Sequence, residues 1–185
     1  MILITPVVYT SKINMREQSI IILDSSASML TSSNDRTRFD RAIDEIEKFA
    51  KSELKDNRPV SIIYGGHEPY FVVKSETSMK KINGKLSSLS CEYGNGNIAG
   101  AMDLAKEMIE SNAKASIYYY TGTSYNKNDD IKIVNVSGND EWNIAILDAE
   151  ALNVENYYEF NVSLASYGVS KYVNVYLTVE GVNDA

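Results

Sequence analysis

The sequence predicts an α/β protein with a doubly wound, mostly parallel sheet and a short antiparallel β region at its C-terminal end. Three observations support this prediction. Short runs such as SIIILD, residues 19–24, are continuously apolar, as strands buried on both faces are. Amphipathic helical patterns separate these runs, and such long crossovers join parallel strands. After Gly138 the helical periodicity stops and alternating strand patterns follow.

The helices and strands of the main sheet follow from this patterning. Two amphipathic helices are expected around residues 39–50 and 98–109, and a shorter one within residues 75–89. We expect the run at residues 19–24 in the middle of the sheet. The strand that begins at Pro69 is expected antiparallel at one edge, where proline is tolerated. The predicted strands are the apolar runs at residues 19–24, 60–65, 69–74, 115–122 and 131–136.

The change of pattern after Gly138 divides the chain into an α/β domain, residues 1–138, and a β-rich region, residues 139–185. Three strands are predicted in the second region, in the segments WNIAILDAEAL, YYEFNVSLAS and KYVNVYLTVEG. Three strands are few for an independent domain. The region is therefore expected to pack on the first domain or to belong to a larger β-sandwich.

Composition limits the function classes. The 185 residues are 44% hydrophobic and 23% charged, which is ordinary for a soluble globular protein. A net charge of -7 disfavours nucleic acid and anionic membranes as partners. The single cysteine, Cys91, excludes an internal disulfide. The apolar segment MILITPVVY, residues 1–9, is expected to be a first strand or the remainder of a longer apolar segment.

Polar residues follow the first strand directly. Asp24, Ser26 and Ser28 form an Asp-x-Ser-x-Ser pattern where the apolar run ends. Ligands bind at the carboxyl ends of strands in open parallel sheets. Three oxygen-bearing side chains at alternate positions of a turn suit Mg²⁺, which prefers oxygen ligands. The alternative is structural, because serines after a strand also cap helices and bond the loop backbone.

The segment IIILDSSASM resembles the first motif of the von Willebrand factor A domain, which carries a metal-ion-dependent adhesion site. RTRFDRAIDEIEKFA and GNGNIAGAMDLAKEMI are similar to two helical segments of that family. The resemblance covers roughly residues 15–138 and is greatest to bacterial membrane-anchored members of the aerotolerance-operon type. It implies a Rossmann-like fold, a protein-binding role without catalysis, and an extracytoplasmic, membrane-anchored location for the full-length protein.

Two positions depart from the family pattern. Gly96 lies where the second motif supplies a threonine, and Gly122 lies where the third motif supplies an aspartate. Only Asp24, Ser26 and Ser28 therefore carry over as metal ligands. Since a dication is held mainly by nearby anions, we expect a partial site that binds Mg²⁺ weakly or binds no cofactor at all.

The sequence thus predicts a non-catalytic interaction module with an unidentified protein partner and no small-molecule substrate. Candidate residues at its binding edge are Tyr93, Asn95, Asn97, Thr123 and Tyr125. Two alternatives stay open. One is a phosphotransfer hydrolase of the haloacid-dehalogenase type that uses Asp24 as its nucleophile. The other is a purely structural domain of a membrane-anchored assembly.

Overall fold

The computed structural model describes residues 17–111, 114–123, 131–168, 170 and 172–178. Its main sheet has five strands: β1 (Gln18–Asp24), β4 (Val60–Gly65), β5 (Tyr70–Glu76), β6 (Ala115–Thr121) and β7 (Ile131–Asn135). Their order across the sheet is β5-β4-β1-β6-β7. All neighbouring pairs are parallel except β4 with β5. A small separate hairpin of β2 (Ser32–Ser33) and β3 (Arg36–Thr37) precedes the first α-helix.

The central strand β1 is buried on both faces, as predicted. All seven of its residues are buried, and Ile20 to Leu23 are completely inaccessible to solvent. Ile21 and Leu23 pack into one apolar cluster, and Ile20 and Ile22 pack into another. The predicted doubly wound α/β class and the central position of this strand are both confirmed.

Helices cover both faces of the sheet. Helix α1 (Arg38–Lys55) and helix α2 (Met79–Leu86) pack on the face that receives Ile21 and Leu23. Helix α3 (Ile98–Ser111) packs on the other face through Met102 and Met108. A capping box between Thr37 and Asp40 begins α1, which satisfies backbone donors in its first turn. None of the helices in the described ranges is long and apolar enough to cross a membrane.

The edge strand β5 is antiparallel to β4, as predicted, but it ends at Glu76 and not at residue 74. Helix α2 begins at Met79, within the predicted range of residues 75–89. Ser75 has a φ of 46°, which the helix does not permit, and its amide donates to Ser61 Oγ at 2.8 Å. The Glu76 carboxylate accepts hydrogen bonds from the amides of Thr77 and Ser78. These contacts hold the segment in an extended turn ahead of the helix.

The chain divides into two compact units, one up to Asn139 and one from Asp140 onward. The second unit contains an antiparallel hairpin of β8 (Asn143–Val154) and β9 (Tyr157–Tyr167). Ile146 lies opposite Leu164, and Ala151 lies opposite Phe160, so these apolar residues share one exposed face. The prediction of a third strand was wrong over residues 172–178, which do not form a strand.

A buried carboxylate joins α1 to the amino ends of the strands. Glu53 accepts two hydrogen bonds from Arg58, at 2.7 and 2.8 Å, and one from the Ser19 hydroxyl at 2.5 Å. Burial alone would raise the pKa of Glu53. The hydrogen bonds from Arg58 and Ser19 outweigh burial and lower the pKa below its usual value.

Glu53→Gln is expected to destabilise the protein by about 2 kcal/mol at pH 7, because the neutral amide loses charge-assisted hydrogen bonds. Since the folded-state pKa is lowered, this stabilisation is present above the unfolded-state pKa near 4.5 and is lost as pH falls below it. Urea unfolding of both proteins between pH 7 and pH 3 measures the difference. Glu110→Gln, at an exposed position of α3, is the matched control. A difference that stays constant across this range would contradict the assignment.

Candidate functional site

The polar pattern after β1 lies at the carboxyl edge of the sheet. Asp24 is opposite Gly65 of β4, and the register of β1 with β6 places it next to Thr121. A short 3₁₀ helix, Ala27–Leu30, follows immediately. Three parallel strands therefore end around one carboxylate.

The Asp24 carboxylate is 5% exposed and is surrounded by donors from its own chain. Its Oδ2 accepts hydrogen bonds from the Thr121 hydroxyl at 2.7 Å and the Tyr119 hydroxyl at 3.3 Å. Its Oδ1 accepts one from the Ser26 amide at 2.9 Å. Two donors come from β6 and one from the following loop, so Asp24 connects the central strand to both.

The two serines lie beside this carboxylate. Their hydroxyl oxygens are 2.9 Å apart and share a hydrogen bond. The Ser28 carbonyl accepts from the Arg38 guanidinium at 3.3 Å. The structure therefore brings Asp24, Ser26 and Ser28 together in one turn.

A second loop, residues 91–97, packs against this turn through its backbone. The Ala27 amide donates to the Gly94 carbonyl at 2.8 Å, and the Glu92 amide donates to the Ser25 carbonyl at 3.0 Å. The Cys91 thiol donates to the Ser25 and Ser26 carbonyls. Burial, together with the nearby charge of Asp24, raises the pKa of this thiol to about 12, so Cys91 is an unreactive structural contact.

Gly96 brings this second loop next to the carboxylate. A side-chain carbon at Gly96 would lie 2.8 Å from the Gly65 carbonyl oxygen, 3.4 Å from Asp24 Oδ1 and 3.4 Å from Ser26 Cβ. The first distance is shorter than van der Waals contact allows. A threonine at this position would therefore force the loop to move.

Gly122 follows β6 and lies against a cation. A side-chain carbon at Gly122 would overlap the Arg38 side chain, whose Nε lies 2.7 Å from that position. The guanidinium of Arg38 thus occupies space beside the point where the third family motif carries a carboxylate.

Between these loops is a small cleft of about 130 Å³. Asp24 and Ser26 contribute oxygen atoms to it, and Ile98 contributes an apolar side chain. Its full lining is Asp24, Ser26, Gly65, Gly96, Ile98, Tyr119 and Thr123.

The family model of the von Willebrand factor type A domain matches residues 19–139. The chain belongs to this family. The match ends where the second compact unit begins. The predicted resemblance is therefore confirmed. No curated protein matches the sequence significantly.

Solved structures share this fold at low sequence identity. The conserved hypothetical protein BatB from Bacteroides thetaiotaomicron is 17% identical over 80% of this chain and 79% of its own, with a TM-score of 0.53. An aerotolerance-related membrane protein from Bacteroides fragilis NCTC 9343 is also 17% identical, over 80% of this chain and 80% of its own, with a TM-score of 0.53. A structure of three N-terminal domains of the type V pili tip protein Mfa5 from Porphyromonas gingivalis aligns with 55% of this chain at 17% identity and a TM-score of 0.48. This chain spans 19% of the length of that structure.

The predicted binding-edge residues have different environments in this von Willebrand factor type A domain. Tyr93 is 91% exposed at the tip of the second loop, and Asn95 is also exposed. Asn97 caps α3, because its side-chain oxygen accepts from the Gly100 amide at 2.9 Å. Thr123 bonds Thr121 at 3.1 Å and lines the cleft. Tyr125 lies outside the described residues.

The donor set fits a divalent metal poorly. Among the described residues, Asp24 supplies the only carboxylate that lines the cleft, and its oxygens already accept three hydrogen bonds. The described part of the chain contains no group of three His, Cys, Asp or Glu side chains that could hold a metal. Arg38 adds a positive charge at the third-motif position. A Mg²⁺ ion would have to exchange strongly held water for mostly neutral ligands beside that charge.

Sequence reasoning missed three residues of this site: Thr121, Tyr119 and Arg38. The parallel register makes the end of β6 a neighbour of Asp24, so the hydroxyls in YYYT were a usable signal. Arg38 had no comparable signal. Its contact with Gly122 depends on how the start of α1 meets the loop after β6.

Thr121→Val is expected to destabilise the protein by about 2 kcal/mol, because a buried carboxylate loses its shortest side-chain donor while the side-chain shape is nearly kept. Urea unfolding measures the loss, and amide hydrogen exchange at Ser26 reports whether the turn loosens. Thr123→Val is the matched control, at an exposed position, with an expected change below about 0.5 kcal/mol. Equal losses in the free energy of unfolding for the two substitutions would show that the Thr121–Asp24 hydrogen bond does not stabilise the protein more than an exposed threonine does.

Proposed function

We propose that this domain is a non-catalytic protein-interaction module that binds its partner with the loops at the carboxyl edge of the sheet. The presentation of Tyr93 carries this proposal. Its side chain is 91% exposed, yet the loop beneath it is tied by backbone hydrogen bonds to the turn after β1. Rigid, exposed tyrosines give contact area at low entropic cost and are common at binding hot spots.

The environment of Asp24 favours binding over phosphotransfer. An aspartate nucleophile of this type needs a nearby acid that protonates the leaving group. Asp24 has Ser26, which is not an acid, two positions later, and the three hydrogen bonds that its carboxylate accepts fix its orientation. These features suit a residue that holds a loop in place.

The full-length protein is proposed to be extracytoplasmic and membrane-anchored. The name of the structurally similar Bacteroides fragilis membrane protein supports this location. We further propose that the β8–β9 hairpin of the region of residues 139–185 belongs to a β-sandwich, which would cover its apolar face. In the structural alternative, that face would serve assembly and the loop edge would bind nothing.

Photo-crosslinking tests the binding edge. Benzoylphenylalanine in place of Tyr93 is expected to crosslink one specific protein in cells of the source organism, because the side chain extends into the proposed interface. The same group in place of Lys80, an exposed residue of α2, is the matched control. Identical products from both positions, or none from Tyr93, would contradict the proposal. Hydrolysis of p-nitrophenyl phosphate with Mg²⁺, lost in Asp24→Asn, would instead support the enzyme.

The site is proposed to bind divalent metal weakly or not at all. We expect calorimetric titration with Mg²⁺ or Mn²⁺ to give no binding in the micromolar range, because one carboxylate beside a guanidinium holds a dication poorly. Micromolar binding that is lost in Asp24→Ala would contradict this expectation.

A restored site serves as the positive control. Gly122→Asp combined with Arg38→Ser adds a carboxylate and removes the cation that overlaps it. This double variant is expected to raise Mg²⁺ affinity by at least about tenfold. Gly96→Thr is less suitable, because its side chain would collide with the Gly65 carbonyl. No gain in the double variant would show that Gly122 does not lie at the third-motif position.

A further inference from the structure

We propose that the cleft beside Gly96 binds the ammonium group of a lysine side chain from the partner. This inference rests on the proposed function, since it assigns the chemistry with which the loop edge recognises that partner. Four features of the cleft support it: acceptors on several sides, spare capacity on one oxygen, a single negative charge, and a small volume.

Oxygen-bearing residues line the cleft on several sides. Asp24 and Gly65 border it next to Gly96, and Asp24 Oδ1 is the carboxylate oxygen nearer to Gly96. The Ser26 and Thr123 side chains line the same cleft. A lysine ammonium carries three donors and no acceptor, so it suits a space bounded by oxygens.

Asp24 Oδ1 has room for a further donor. The two side-chain donors from β6 both bind Oδ2, while the Ser26 amide is the one donor to Oδ1 within the described ranges. A carboxylate offers about four lone-pair positions, two on each oxygen. The oxygen with spare capacity is also the one nearer to Gly96, and both residues line the cleft.

The charge of the cleft matches a monovalent cation. Asp24 is the single acidic residue among the described residues that line the cleft, and Arg38 lies beside the neighbouring Gly122. Because the cost of removing water from an ion grows with the square of its charge and its attraction to a carboxylate only in proportion to that charge, one carboxylate beside a guanidinium favours an ammonium over a dication. The chain's net charge of -7 also attracts a cationic partner.

The size and walls of the cleft favour lysine over a whole ligand or an arginine. Its volume of about 130 Å³ is well below the roughly 300 Å³ of small-molecule pockets. Ile98 provides an apolar wall for the methylene stem of lysine. A guanidinium is a planar fork that prefers bidentate acceptors, whereas one free carboxylate oxygen and a carbonyl suit a compact ammonium.

The test uses n-butylammonium as the probe and backbone amide chemical shifts as the readout. We expect saturable shifts centred on Gly65, Gly96 and Ser26, with a dissociation constant on the order of millimolar. n-Butanol, which lacks the charge, is expected to shift none of them. Shifts of equal size and position with n-butanol would overturn the proposal, as would tighter binding of n-butylguanidinium.

Two variants, one that removes the charge and one that changes the shape of the cleft, should weaken the binding of n-butylammonium. Asp24→Asn keeps the Oδ1 acceptor for Ser26 but removes the charge, and we expect at least about tenfold weaker binding. Gly96→Ala keeps the charge but adds a carbon that forces the Gly65 carbonyl or the second loop to move, which reshapes the cleft, and the same loss is expected. Asp103→Asn, at an exposed carboxylate of α3, is the matched control and should bind as the unmodified chain does. Full binding in both Asp24→Asn and Gly96→Ala would overturn the proposal.

The inference and the proposed function fail separately. Crosslinking at Tyr93 together with no n-butylammonium binding would overturn the lysine inference and leave the interaction module standing. Saturable binding at Gly96 with no Tyr93-dependent crosslink would leave the cleft assignment standing and overturn the module. Mg²⁺ that displaces n-butylammonium at micromolar concentration would overturn the inference by assigning the cleft to a metal.

Discussion

The burial of β1 on both faces constrains the rest of this structure. Because successive side chains point to opposite faces, Ile20 and Ile22 require a helix layer on one side and Ile21 and Leu23 require one on the other. Such a strand must lie in the middle of a sheet, between β4 and β6. The loops that follow these parallel strands then meet at one edge, and this is the origin of the candidate site.

Polar groups at both ends of this buried layer are satisfied by specific partners. At the amino end, Glu53 is held by Arg58 and Ser19. At the carboxyl end, Asp24 is held by Thr121, Tyr119 and the Ser26 amide. A buried carboxylate without such donors would be costly, so each network keeps its strand ends in register. The turn keeps its shape through these contacts with neighbouring protein groups.

Two glycines and one arginine alter the chemistry of this edge relative to the family pattern. Gly122 removes a carboxylate, and the Arg38 side chain fills the adjoining space with a positive charge. Gly96 removes a side chain beside Asp24 and leaves a cleft bordered by oxygens. Together they support the proposal that the site prefers a cation of single charge to a dication. Backbone hydrogen bonds connect the surrounding loops.

The sequence by itself determined the strands of the main sheet, its doubly wound class and the grouping of Asp24 with the two serines, because continuous apolar runs and short spacings are local signals. Local signals ended β5 at residue 74, whereas its pairing with β4, with a bond from the Ser75 amide to Ser61, continues to Glu76. They also predicted a strand at residues 172–178 that does not form. Only the tertiary structure placed Arg38 against Gly122 and Thr121 against Asp24. Such contacts join distant parts of the chain, so their geometry is decided by how helices and strands pack and not by neighbouring residues.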